Sequence, residues 1–182
     1  MSARTVTDPV RVQATAGDPI RGAEAEDLAA IAAIFCTGQA EHHSRFPDIF
    51  CAPTDRLAIE RYVRAYLKPQ NPFRTRTHFA WVWQDGKKPA GYLLFQWRQT
   101  SDIFFGDERW SCFVDDIAVA PDARGQGIAR ALLAHLVALA NTKPGCLMGA
   151  QVWRGNAASH DLFEKAGFTA GSQNFQRVIP SQ

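Results

Sequence analysis

The run Asp115-Asp116-Ile117-Ala118-Val119-Ala120-Pro121-Asp122-Ala123-Arg124-Gly125-Gln126-Gly127-Ile128-Ala129-Arg130 has the residue types to hold an anion. A strand feeds a loop of small residues, and the loop opens a long helix. The first N–H groups of a helix have no partner within it, so they point at whatever lies ahead, and the helix dipole favours negative charge there. Gly125, Gly127 and Ala129 keep side-chain bulk away, so a diphosphate can lie against the backbone, and Arg124 and Arg130 add positive charge. The same Gly-x-Gly also serves as a plain tight turn. Two other phosphate motifs fail. A Walker loop needs Gly-Lys-Ser/Thr, which is absent. A dinucleotide fingerprint needs a small residue where Arg130 stands.

The elements that must position this loop follow from periodicity. Leu28, Ile31, Ala32, Ile34 and Phe35 recur at helical spacing and predict a helix over Glu26–Cys36. Gln39–Pro53 reads as irregular, and Asp55 as the cap of a second helix ending near Leu67. Strands follow over His78–Trp83 and Gly91–Trp97 around an Asp85-Gly86 turn, and then over Trp110–Val119. Phe79, Trp81 and Trp83 fall on one face of the first of these and Ala80 and Val82 on the other, which marks a central strand. Ile128–Ala140 is helical, Cys146–Trp153 a strand, and Asn156 the N-cap of a helix ending at Ala166 with Gly167 behind it. Phe175–Ile179 reads as a last strand. The order α-α, β-β-β, α-β-α-β implies an α/β or α+β domain with helices on a sheet. Residues 1–18 read as a loose N-terminal arm or edge strand, and 19–182 as one domain.

Composition narrows the function classes. A net charge of +2 over 182 residues gives no case for nucleic acid or an anionic membrane as partner. Cys36, Cys51, Cys112 and Cys146 form no Cys-x-x-Cys, so a metal is not expected. The first 20 residues hold no apolar run suited to a secretory signal, and no stretch of 18 apolar residues occurs, so a reduced cytoplasmic protein is expected.

Arg124-x-x-Gly127-x-Ala129 after a strand ending in Val119 resembles the acetyl-CoA pyrophosphate motif of the GNAT superfamily of N-acetyltransferases. The downstream string Asn156, Ser159, Leu162-Phe163 and Gly167-Phe168 is similar to the same family, and both occur in the family's order. The resemblance covers roughly residues 20–180 and implies a GNAT fold. That is a central, mixed but mostly antiparallel sheet with splayed middle strands and helices on both faces. It implies acetyl-CoA as cosubstrate, with the pantetheine arm in the gap beside Ile117, Ala118 and Val119. The pyrophosphate would rest on the N–H groups of Arg124, Gly125, Gln126, Gly127, Ile128, Ala129 and Arg130. Asn156 would lie near the cofactor arm, and Phe163 beside the thioester or simply in the core.

The implied chemistry is direct attack of an amine on the thioester carbonyl, which needs a base for the amine's proton. A backbone N–H near Val119 would stabilise the oxyanion. Asp115 and Asp116 are the base candidates, because Phe113-Val114-Asp115-Asp116 is similar to the Tyr-Leu-Glu-Asp strand of polyamine acetyltransferases. Strand alternation sends the two carboxylates to opposite faces, unless a bulge intervenes. Many members carry Tyr where Phe163 stands. Phe cannot protonate the leaving thiolate, and Ser159 and His160 lie on the same helix. On the substrate side His42, His43, Phe46 and Tyr62 are candidate lining residues, and Trp81, Trp83, Trp97 and Trp110 candidate aromatic walls. The acidic 102–116 stretch suits a cationic amine. The expected partner is a small-molecule amine, with a protein lysine or N-terminal amine, or a catalytically silent acetyl-CoA sensor, as alternatives. A homodimer is compatible with the family.

Overall fold

The computed structural model describes residues 19–53, 55–67, 76–86, 88–102 and 106–172. Five strands, β1 (Ile20–Gly22), β2 (Arg76–Asp85), β3 (Lys88–Asp102), β4 (Gly106–Val119) and β5 (Leu147–Ala150), lie in sequence order in one sheet. The first three pairings are antiparallel and β4–β5 is parallel. This is the mixed, mostly antiparallel sheet expected. Residues 1–18 and the predicted strand at 175–179 lie outside the described residues.

Alternation along β2 and β3 builds two cores. Phe79, Trp81, Leu93, Phe95 and Trp97 face α3 (Ile128–Asn141) and α4 (Ala157–Lys165), where Leu132, Leu133 and Leu136 are fully buried. Ala80, Val82, Tyr92 and Leu94 face α1 (Leu28–Arg45) and α2 (Arg56–Leu67), against Leu28, Ile31, Ile34, Val63 and Tyr66. Truncating a buried leucine such as Leu136 would cost about 2–5 kcal/mol. The Asp85-Gly86 turn joins β2 to β3, with Gly86 at φ +61°.

Four elements depart from the sequence reading. Helix α1 continues to Arg45, so His42 and His43 are helical rather than in an irregular stretch. Past Phe35 its inner face borders a cleft instead of core, so the apolar repeat that marks a helix stops before the helix does. Strands β3 and β4 extend to Asp102 and from Gly106 through polar sequence, where they pair with each other. Strand β5 ends at Ala150, and Gln151–Trp153 leave the sheet. Residues Trp81 and Trp97 are 2% and 1% exposed, and Trp83 and Trp110 pack against the same α3/α4 core. None of the four is a wall of the cleft.

Candidate active site

Strands β4 and β5 pair only from Ser111↔Leu147 to Val114↔Ala150. Beyond that point they part, for a local reason. Phe95 faces Val114 and Leu94 faces Asp116, so Asp115 is an extra residue in β4, a bulge that bends the strand. The chain after Ala150 turns away through Gly155, at φ +84°, into α4. The splay opens a cleft of about 800 Å³.

One end of this cleft is the loop before α3. Ile117, Ala118, Val119, Arg124, Gly125, Gln126, Gly127, Ile128, Ala129, Arg130 and Asn156 all line it. Gly125 and Gly127 sit at φ +79° and +81°, a region that costs other residues about 1–2 kcal/mol. Gly127 is the N-cap and no side chain caps α3, so the helix's leading N–H groups face the cleft. A Cβ at Gly125 would meet nothing within 4 Å, so this backbone can be approached closely. The helix is seated by Gly91 of β3, where a Cβ would come within 2.8 Å of the Ile128 side chain. Arg124 donates to the Val119 carbonyl (3.3 Å) and pairs with Glu41 of α1 (2.8 Å), so its charge is already engaged. These features fit a diphosphate-bearing cofactor such as acetyl-CoA: open backbone donors, no acidic side chain on the glycine turn, and a long groove alongside.

The other end is a cavity of about 170 Å³ that shares Phe35, Gln39, His42, Asp116, Ile117, Asn156 and Ser159 with the larger cleft. Phe35, Gln39 and His42, spaced by four and three, form one face of α1, and Asn156, Ser159 and Phe163 do the same on α4. Asn156 caps α4, accepting from the Ser159 N–H at 3.3 Å. Phe163 is 7% exposed and packs on Phe168, bordering this cavity from the core. His160 is exposed and borders neither space.

Because of the bulge, Asp115 and Asp116 both turn toward the α1/α2 layer, not to opposite faces as simple alternation implies. Asp115 accepts from Tyr66 Oη (2.9 Å) and Gln96 Nε2 (2.8 Å). Tyr62 Oη lies 3.1 Å from Tyr66 Oη, and because Tyr66 gives its one proton to Asp115, Tyr62 donates to Tyr66. Asp116 accepts from Tyr92 Oη at 2.7 Å. Burial pushes the Asp116 carboxyl up to about 6, helped by the neighbouring Asp115 charge and opposed by the bonds from Tyr92 and the Ile117 N–H. Burial and the Arg45 charge, against the opposing Glu41 charge, lower the His42 pKa and so favour its neutral ring. Such a carboxyl can take a proton near neutral pH and can attract a cation.

Of the four residues predicted to line the substrate side, His42 and Tyr62 do so. His43 instead bonds the Phe50 carbonyl through Nδ1, and Phe46 stands behind Phe50 and Trp153. Sequence reasoning missed Tyr66, Tyr92 and Gln96, which hold the carboxylates, and Phe35, Phe50 and Trp153, which wall the cavity. One signal was present: Tyr92 sits within an apolar central strand, where its hydroxyl needs a partner. Among the described residues there is no cluster suited to a metal ion, and no helix long and apolar enough to cross a membrane.

Residues 41–168 match the model of the Acetyltransferase (GNAT) family. No curated protein matches the chain. Among solved structures, the tetramutant of the BH1408 protein from Bacillus halodurans is similar with a TM-score of 0.72 at 19% identity, over 88% of this chain and 99% of that one. A transcriptional regulator from Bacillus halodurans C-125 gives 0.64 at 18%, over 88% and 98%. A ribosomal-protein-alanine N-acetyltransferase from Brucella melitensis biovar Abortus 2308 gives 0.54 at 20%, over 89% and 98%. At such identities the likeness is one of fold.

Proposed function

This chain belongs to the acetyltransferase (GNAT) family, and on that premise we propose that it moves the acetyl group of acetyl-CoA to a primary amine of a small molecule. The observation that carries the reading is the continuity of the cleft. An uncapped, glycine-lined helix start stands at one end and a pair of carboxylates at the other, with the splayed edge of β4 between them. The pyrophosphate rests on the Gly125–Ala129 backbone, and the pantetheine arm runs along Ile117–Val119. The amine enters beside Asp115 and Asp116 and gives a proton to Asp116, whose carboxyl lies nearest to neutral pH. Nitrogen attacks the thioester carbonyl, the C–S bond breaks, and coenzyme A leaves as the thiol. Phe163 cannot supply that proton, and of the polar groups around the cavity Ser159 is the hydroxyl on the same helix face. Polyamines, amino acids and aminoglycoside-like amines are examples of the amines this chemistry admits.

A cavity of only about 170 Å³ supports a small acceptor over a peptide, which needs a longer groove. The test is calorimetric titration with acetyl-CoA, then thiol release over small amines and peptides. Binding with turnover on small amines is expected. Binding with no turnover on any amine would make the chain a sensor, turnover on peptides alone would move it to protein substrates, and no binding would end the reading.

A further inference from the structure

The cavity next to the carboxylates is walled by rings from segments far apart in the chain. At the end of α1, His42 stacks on Phe50 with centroids 5.0 Å apart and planes 20° from parallel. Phe50 meets Trp153, from the chain after β5, edge-on at 4.7 Å. Nearer the carboxylates, Phe35 of α1 contacts Tyr62 of α2 at 5.6 Å, and Tyr62 reaches Asp115 through Tyr66. Among the described residues lining this space, Asp115 and Asp116 carry the only formal charges. Both lie on one strand, at one side of the cavity. A diamine or longer polyamine would leave its second ammonium among these rings, met by ring faces but by no further carboxylate of this cavity. An amine with one charged end and an apolar ring would fill both parts: ammonium at the carboxylates, ring against faces and edges suited to aromatic pairing.

We infer that the acceptor is a monoamine bearing an aromatic ring, bound with its ring between Phe50–Trp153 and Phe35–Tyr62 and its nitrogen at Asp115–Asp116. This rests on the amine-acetyltransferase reading for its chemistry, but the recognition can be measured without turnover. Coenzyme A-saturated protein would be titrated with 2-phenylethylamine, n-butylamine and putrescine. The ring should give 2-phenylethylamine an affinity on the order of tenfold above both others. Equal or tighter binding of n-butylamine or putrescine would overturn the inference.

Trp153→Ala and, as a more conservative change in volume, Phe50→Leu should each erase most of the advantage of 2-phenylethylamine over n-butylamine. An undiminished advantage in both folded variants would also overturn it. Thiol release in the same series separates the two claims. Selective binding without release would remove the transfer reading and leave ring recognition standing, whereas release with no ring preference would do the reverse.

Discussion

At the α3 end of the cleft the chemistry belongs to the backbone, whereas at the Asp115–Asp116 end it belongs to side chains. The first end is one continuous segment, Val119–Arg130, whose geometry comes from two glycines at positive φ and a helix start with no side-chain cap. The second is assembled from α1, α2, β3, β4 and the chain after β5, and each carboxylate is held by a residue at least 19 positions away. A backbone site tolerates side-chain change except where bulk or charge meets the ligand. A side-chain site depends on every contributor, and its acidity depends on burial. The two ends should therefore respond to different mutations, and with different readouts.

The largest effect is expected from Gly127→Asp. It forces a residue with Cβ into the left-handed region and sets a carboxylate where a diphosphate would lie. Acetyl-CoA affinity should fall at least a hundredfold in calorimetry, with little change in amine binding. Retained acetyl-CoA affinity would mean that the loop is only a turn.

Asp116→Asn is the corresponding test at the other end. The amide can still accept from Tyr92, so the fold should persist, but it cannot take a proton. Turnover should drop by about a hundredfold or more, with acetyl-CoA affinity unchanged. The wild-type rate should rise with pH through a limb near 6, and the variant should lose that limb. Stability moves the opposite way. A carboxyl raised to about 6 keeps its proton in the folded chain at a pH where the unfolded chain, near 4, has released it. Its contribution is full below about pH 4 and is lost as pH rises through 6. Wild type should therefore lose thermal stability relative to Asp116→Asn across that interval. A variant that melts in parallel with wild type at every pH would show that Asp116 is not raised.

The same contrast explains what could be read from the residues alone. The loop and the downstream Asn156–Phe168 motif were legible because local sequence sets them: small residues, a helix start and a cap. The α3 and α4 helices were legible for the same reason. The paired direction of Asp115 and Asp116 was not, because a bulge depends on how β3 registers against β4, and one added residue reverses the parity of everything before it. Nor was the length of α1, whose Phe35, Gln39 and His42 face serves a cleft and so lacks the apolar repeat. The tryptophans misled in the other direction. Trp81, Trp83, Trp97 and Trp110 suited a substrate wall by type, yet alternation turns them toward α3 and α4, and Trp153 borders the cavity instead.

A smaller effect is expected from Tyr66→Phe. It removes the 2.9 Å donor to Asp115 and the hydroxyl that anchors Tyr62. A hydrogen bond to a charged group is worth about 1.5–3 kcal/mol, part of which water can replace here. The amine KM should rise several-fold while kcat and acetyl-CoA affinity hold. A fall in kcat as deep as that of Asp116→Asn would assign the proton transfer to Asp115 and its tyrosines instead.

The smallest effect is expected where the two ends touch. Glu41 of α1 pairs with Arg124 of the loop at 2.8 Å, but both side chains are nearly half exposed, 45% and 46%. Pairs of this kind contribute about 0–1 kcal/mol and weaken in salt. Glu41→Gln frees Arg124, whose guanidinium stays tied to the Val119 carbonyl. Loss of the bridge loosens α1 against the loop, while release of the positive charge favours a bound diphosphate. These effects oppose each other, so acetyl-CoA affinity should stay within about threefold of wild type. A loss beyond tenfold, persisting in high salt, would show that the bridge holds the backbone site in shape, and the two ends would then be one mechanical unit.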